Sequence, residues 1–81
     1  MENQSVRELL AYIVRSLVQD PDAIAIEAVE AGDTVTLQLR VAPEDMGKVI
    51  GRQGRIAKEI RALVKAYGLR DGQKVMVDIL D

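Results

Sequence analysis

The run Val49-Ile50-Gly51-Arg52-Gln53-Gly54-Arg55 places two glycines around a polar pair, between apolar-periodic segments and inside the chain's one basic concentration. Glycine lets a main chain turn tightly and approach a ligand with no Cβ in the way. A helix beginning just after such a turn offers unpaired N–H groups and the positive end of its dipole. The chemistry this arrangement suits is the holding of a phosphodiester backbone. Main-chain N–H groups across Gly51 to Gly54 and the side chains of Arg52 and Arg55 would contact phosphate, with Gln53 and Ile50 in the same loop and Lys48 and Lys58 about one turn to either side.

The charge distribution points the same way. From Met46 to Lys65 there are six basic residues, Lys48, Arg52, Arg55, Lys58, Arg61 and Lys65, against the single acid Glu59, a local net of +5. The remainder carries five basic and twelve acidic residues, so the overall −2 hides a confined positive segment in an acidic frame. Such a frame discourages polyanion binding anywhere else.

Several function classes drop out on composition. With no Cys and no His in 81 residues, there are no disulfides, thiol nucleophiles or imidazole bases, and most zinc sites are excluded. Ser5 and Ser16 have no His to activate them, and the scattered carboxylates form no evident acid/base pair. The reading is a binder without metal or cofactor, and not an enzyme. The polar start Met1-Glu2-Asn3-Gln4 and the short apolar run Leu9 to Val14 resemble neither a signal segment nor a membrane span, so the expected location is the cytoplasm.

The elements that must position the loop follow from periodicity. Ser5 and Glu8 have capping-box spacing, and Val6, Leu9, Leu10, Ile13, Val14 and Leu17 mark one face of a helix ending before Asp20-Pro21. Ala23 to Glu30 reads as a strand, followed after Ala31-Gly32-Asp33 by a second in which Val35, Leu37, Leu39 and Val41 share the buried face. Thr34, Thr36, Gln38 and Arg40 then face solvent, and helices cover one side of the sheet only. Pro43-Glu44-Asp45 suits the first turn of a helix whose stripe is Met46, Val49 and Ile50. A further helix from Arg55 to about Tyr67 has Gly68 as its stop. At about 100° per residue, Ile56, Ile60, Leu63, Val64 and Tyr67 oppose Arg55, Lys58, Arg61 and Lys65. A last strand runs from Lys74 to Leu80 after the turn Arg70-Asp71-Gly72. The expected class is α+β, in the order α-β-β-α-α-β, a three-stranded sheet with three helices packed on one face.

That order, with Val49-Ile50-Gly51-Arg52-Gln53-Gly54-Arg55-Ile56-Ala57-Lys58 between its central helices, resembles a type II KH domain. Because the pattern fills nearly the whole chain, the sequence resembles the KhpA family of small bacterial single-KH-domain RNA-binding proteins, with residues 1–81 forming one domain. The resemblance implies single-stranded RNA binding and a role as a post-transcriptional regulator or RNA chaperone. It also implies a homodimer, or a heterodimer with a KhpB-type KH protein, with no membrane and no small-molecule substrate.

Other phosphate loops fail on spacing. A Walker A loop needs Gly-x-x-x-x-Gly-Lys, but Gly47 is followed by Lys48 and position 52 is Arg; a dinucleotide fingerprint needs a glycine where Val49 stands. An ordinary tight connection between helices would leave unexplained both Arg52 and the aligned bases that follow. With no Phe or Trp, and with Tyr12 and Tyr67 at core-compatible helix positions, base stacking on aromatics is not the expected mode. A KH groove instead clamps about four nucleotides by their backbone, leaving bases over aliphatic side chains to which Val49, Ile50 and Ile56 are candidates. Spacing alone leaves open whether Arg61 and Lys65 join the site. The rival reading is a KH-fold module whose main partner is another protein.

Overall fold

The computed structural model describes residues 4–80. Helix α1 (Gln4–Arg15) is followed by the antiparallel strands β1 (Ala25–Ala31) and β2 (Thr34–Arg40), then by helices α2 (Met46–Ile50) and α3 (Arg55–Arg70) and strand β3 (Lys74–Ile79). Single 3₁₀ turns at Pro21–Ala23, Pro43–Asp45 and Arg52–Gly54 join the larger elements. The sheet order is β1-β2-β3, with β3 parallel to β2. A parallel neighbour requires a long crossover, and here that crossover is the α2-loop-α3 segment carrying the two glycines.

Being central, β2 contributes the most deeply buried face. Val35, Leu37 and Leu39 alternate inward and stand beside Val75, Val77 and Ile79 in register. Onto this face pack Val6, Leu10 and Val14 of α1, Val49 of α2, and Ile60 and Val64 of α3. Truncating a fully buried leucine such as Leu37 in a core of this kind costs about 2–5 kcal/mol. Alternation sends Thr34, Thr36, Gln38 and Arg40 to the opposite face, so all helices lie on one side, as the sequence implied.

Local departures have tertiary causes. The helix already includes Gln4, so Ser5 lies inside it, and Glu8 accepts a hydrogen bond from the Gln4 side chain at 3.4 Å rather than closing a capping box. At the other end α1 stops at Arg15. There the Ser16 hydroxyl donates to the Tyr12 carbonyl at 2.9 Å, a local bond that competes with helix continuation, and Leu17 packs on the core from beyond the helix. Tyr12 is not a core residue; it is 68% exposed. Leu63 likewise sits at the margin of the apolar arc and is 53% exposed.

Gly68 does not end the last helix. It is buried two residues before the end of α3, where a Cβ would lie 2.5 Å from Val75 Cγ2, and the stop is made by Gly72 at φ +76°. The helix therefore settles close against β3 because position 68 has no side chain.

Asp45 is the one fully buried charged residue among those described. Its carboxylate accepts the N–H groups of Gln19 and Asp20 at 3.2 and 3.0 Å and pairs with the Lys48 ammonium at 3.2 Å. It thereby ties the α1–β1 connection to the start of α2. Burial pushes the carboxyl upward, but the two N–H donors and the Lys48 charge outweigh that and hold it below its ordinary value.

Two predictions follow from these contacts. Gly68→Ala should lower stability by about 1–2 kcal/mol in denaturant unfolding, since overpacking against Val75 exceeds the gain in helix propensity of about 1 kcal/mol; adding Val75→Ala should recover most of the loss. For Asp45, a lowered folded pKa contributes stability that is complete above the unfolded value near 3.8 and disappears as pH falls through the lower folded value. Asp45→Asn should therefore reduce the thermal midpoint by several degrees at pH 7 and flatten its decline under acid, measured by circular dichroism between pH 7 and 2.

Candidate functional site

The two glycines answer to different constraints. Gly51 ends α2, donating its N–H to the Gly47 carbonyl at 2.9 Å, and adopts φ +76°, ψ 176°. A Cβ there would lie 2.6 Å from Ile56 Cγ1 and 2.9 Å from Ile56 Cβ, so conformation and space both require glycine. Gln53 (φ 57°, ψ 27°) and Gly54 (φ 72°, ψ 16°) are consecutive left-handed residues. Nothing lies within 4 Å of a Cβ built on Gly54; its open side leaves the main chain approachable. Gly54 is also the N-cap of α3 and supplies no side-chain acceptor, which leaves the positive end of a sixteen-residue helix uncovered by any capping side chain.

Around this turn Arg52, Gln53, Arg55 and Lys58 are exposed, and none forms a side-chain hydrogen bond or ion pair among the described residues. Lys48 differs, because its ammonium is already engaged by Asp45, although its side chain is 43% exposed. Of the three aliphatic candidates, Ile50 reaches the surface, Ile56 is half-buried against the core and Val49 is wholly inside it. Val49 thus cannot present itself to a ligand.

The basic stripe of α3 runs from the loop into a groove of about 630 Å³ between α3 and the free edge of β3. Arg61, Lys65 and Leu69 form its helical wall, and Lys74, Met76 and Asp78 line the strand side. Arg61 Nε donates to the Val77 carbonyl at 3.2 Å, which marks that carbonyl as one facing away from β2. The geometry places Arg61 and Lys65 along this groove. Sequence reasoning missed Lys74, Met76 and Asp78. The period-two pattern of β3 sets Met76 and Asp78 opposite Val75, Val77 and Ile79, but does not put β3 at an edge of the sheet beside α3.

A larger groove, about 900 Å³, separates α1 from β1 at the opposite edge of the sheet. Arg7 and Arg15 are balanced there by Glu8 and Glu30, and Arg7 Nη2 donates to the Ile26 carbonyl at 3.0 Å. Volume favours this groove; charge and continuity with the glycine turn favour the smaller one, which is the better match to a polyanion. No helix among the described residues is long and apolar enough to cross a membrane.

Comparison with known proteins agrees with this architecture. The chain is 48% identical over 73 residues to the RNA-binding protein KhpA of Caldanaerobacter subterraneus subsp. tengcongensis, covering 90% of this chain and 97% of that one. To the proteins of the same name from Listeria monocytogenes and Borreliella burgdorferi it is 43% and 42% identical, covering 94% and 91% of this chain and 100% and 90% of theirs. Among solved structures it is similar to Era of Aquifex aeolicus bound to GDP.AlF4- (TM-score 0.63) and to Era in complex with MgGDPNP and nucleotides 1506–1542 of 16S ribosomal RNA (TM-score 0.64). Both are 22% identical over 91% of this chain, which spans under a third of either Era chain, a likeness of fold alone. The family model for the KhpA/KhpB KH domain matches residues 7–79, and the chain belongs to that family.

Proposed function

We propose that this chain binds single-stranded RNA. The observation that carries the reading is the glycine turn itself, open at Gly54 and surrounded by the unpaired side chains of Arg52, Gln53, Arg55 and Lys58. Phosphates sit against the N–H groups of Gly51 to Gly54 and the start of α3, where dipole and cations act together. Bases lie over Ile50 and in the groove between α3 and β3. Lys48 contributes through its charge while remaining tethered to Asp45. A clamp of this size takes about four nucleotides, with weak sequence preference. The names of the relatives, all RNA-binding proteins, support this reading.

In the cell this is the activity of a cytoplasmic post-transcriptional regulator or RNA chaperone, with residues 1–81 acting as one KH unit and without a catalytic step. Few contacts per groove favour association, since joining two grooves on one RNA raises avidity by roughly 10² to 10⁴. The partner is a second copy or a KhpB-type KH protein. The outer sheet face offers a surface for it, because register aligns Val29, Thr36 and Met76 across the three strands, with the apolar Val29 42% and Met76 61% exposed.

The double substitution Arg52→Asp with Gln53→Asp should abolish RNA binding and leave the unfolding midpoint unchanged, because both side chains point away from a turn whose shape the glycines set. Undiminished affinity in the folded variant excludes the loop as the site. For the unmodified protein, contact with two or three phosphates should give a log–log salt slope of roughly −1.4 to −2.1, using about −0.7 per phosphate on a single strand. That slope corresponds to a loss of about 7- to 18-fold between 50 and 200 mM salt. Fluorescence anisotropy across that range measures both, and a flat response would count in favour of a protein partner.

A further inference from the structure

Asp78 is out of place on electrostatic grounds. It is the one carboxylate lining the groove between α3 and β3, where Arg61, Lys65 and Lys74 supply positive charge. It is exposed, and its side chain forms no hydrogen bond or ion pair among the described residues. Lys74, four residues earlier on the same strand, pairs instead with Asp33 at 3.3 Å. A carboxylate beside bound RNA repels phosphate, so its presence weakens any purely backbone-directed clamp.

Its position suggests what it offers in return. Asp78 follows Val77, whose carbonyl lies on the free edge of β3 and already accepts from Arg61. The strand side of the groove thus presents hydrogen-bond acceptors, the carboxylate above all, while the helical wall presents the donors Arg61 and Lys65. Phosphates are drawn to the donors and to the loop, which leaves the base edges toward β3.

A carboxylate accepts only, through two parallel oxygens. Guanine carries two adjacent donors on its pairing edge, N1–H and the N2 amino group, a match to both oxygens at once. Uracil carries one N–H between two carbonyl oxygens, and both carbonyls would face the carboxylate unfavourably. Cytosine and adenine each bring one amino group and fall between. We infer that Asp78 selects the base seated in the groove, favouring guanine and rejecting uracil. This inference rests on the RNA-binding reading above and assigns that site a preference it otherwise lacks.

The test is fluorescence anisotropy with labelled six-nucleotide RNAs: all-uridine, and the same strand with one central uridine replaced by guanosine or cytidine. The wild-type protein should bind the guanosine strand at least about 5-fold more tightly than all-uridine, as a bidentate base contact does, with the cytidine strand intermediate. Asp78→Ala should bind all three alike and the all-uridine strand no more weakly than wild type, because a repulsive charge has gone. Asp78→Asn, with one acceptor oxygen, should keep a reduced preference. Circular dichroism verifies that the exposed substitutions leave the fold intact. Equal binding of all three RNAs by wild type, or an undiminished guanosine preference in Asp78→Ala, overturns the inference while RNA binding stands. Absence of binding to every strand overturns the RNA-binding reading and this one with it.

Discussion

The close approach of Ile56 to the main chain at Gly51 is the constraint on which the site depends. Ile56 stands in the first turn of α3 and packs against the core, and its Cγ1 occupies space that any side chain at position 51 would need. The contact locks a three-residue turn between two helices, so the direction in which its N–H groups face is dictated by the hydrophobic core. At its far end α3 makes a second such contact, Gly68 on Val75. Two missing side chains thus pin the helix at both ends, and the basic stripe between them keeps a fixed relation to the free edge of β3. Preorganisation of this kind reduces the ordering cost of binding.

Charge complements that rigidity. The segment from Met46 to Lys65 has a net of +5 within a chain of net charge −2. The carboxylate just before the segment is already used: Asp45 is committed to Gln19, Asp20 and Lys48. Arg52, Arg55 and Lys58 have no such internal partner among the described residues, so no ion pair must break before they meet a phosphate. The buried carboxylate and the open cations belong to one design. Asp45 secures the start of α2 from inside, and the cations act from outside.

Much of this was legible in the sequence because it is local. Period-two alternation fixed the inward face of β2, and the glycine spacing with its basic surroundings located the turn. What stayed hidden was tertiary. Asp45 reads as an ordinary acid in a helix first turn, and its burial depends on Gln19 and Asp20 arriving from another part of the chain. Gly68 has the look of a helix stop, and only the proximity of Val75 explains why it lies inside α3. Leu63 sits at the margin of its apolar arc, where a rotation of some tens of degrees decides between core and solvent, whereas Tyr12 lies well round α1 from Val6, Leu10 and Val14. The groove along β3 required knowing that β3 is an edge strand, which no single strand's pattern states.

The central claim is that one continuous surface, from the glycine turn along α3 to the free edge of β3, receives single-stranded RNA. Amide chemical-shift mapping by NMR during titration with a short unstructured RNA tests it most directly. The account predicts that the resonances that move are those of Gly51 to Lys58 together with Val75 and Val77, while β1 and the exposed face of α1 stay still. Shifts concentrated instead on the groove between α1 and β1, with the glycine turn unmoved, would contradict it.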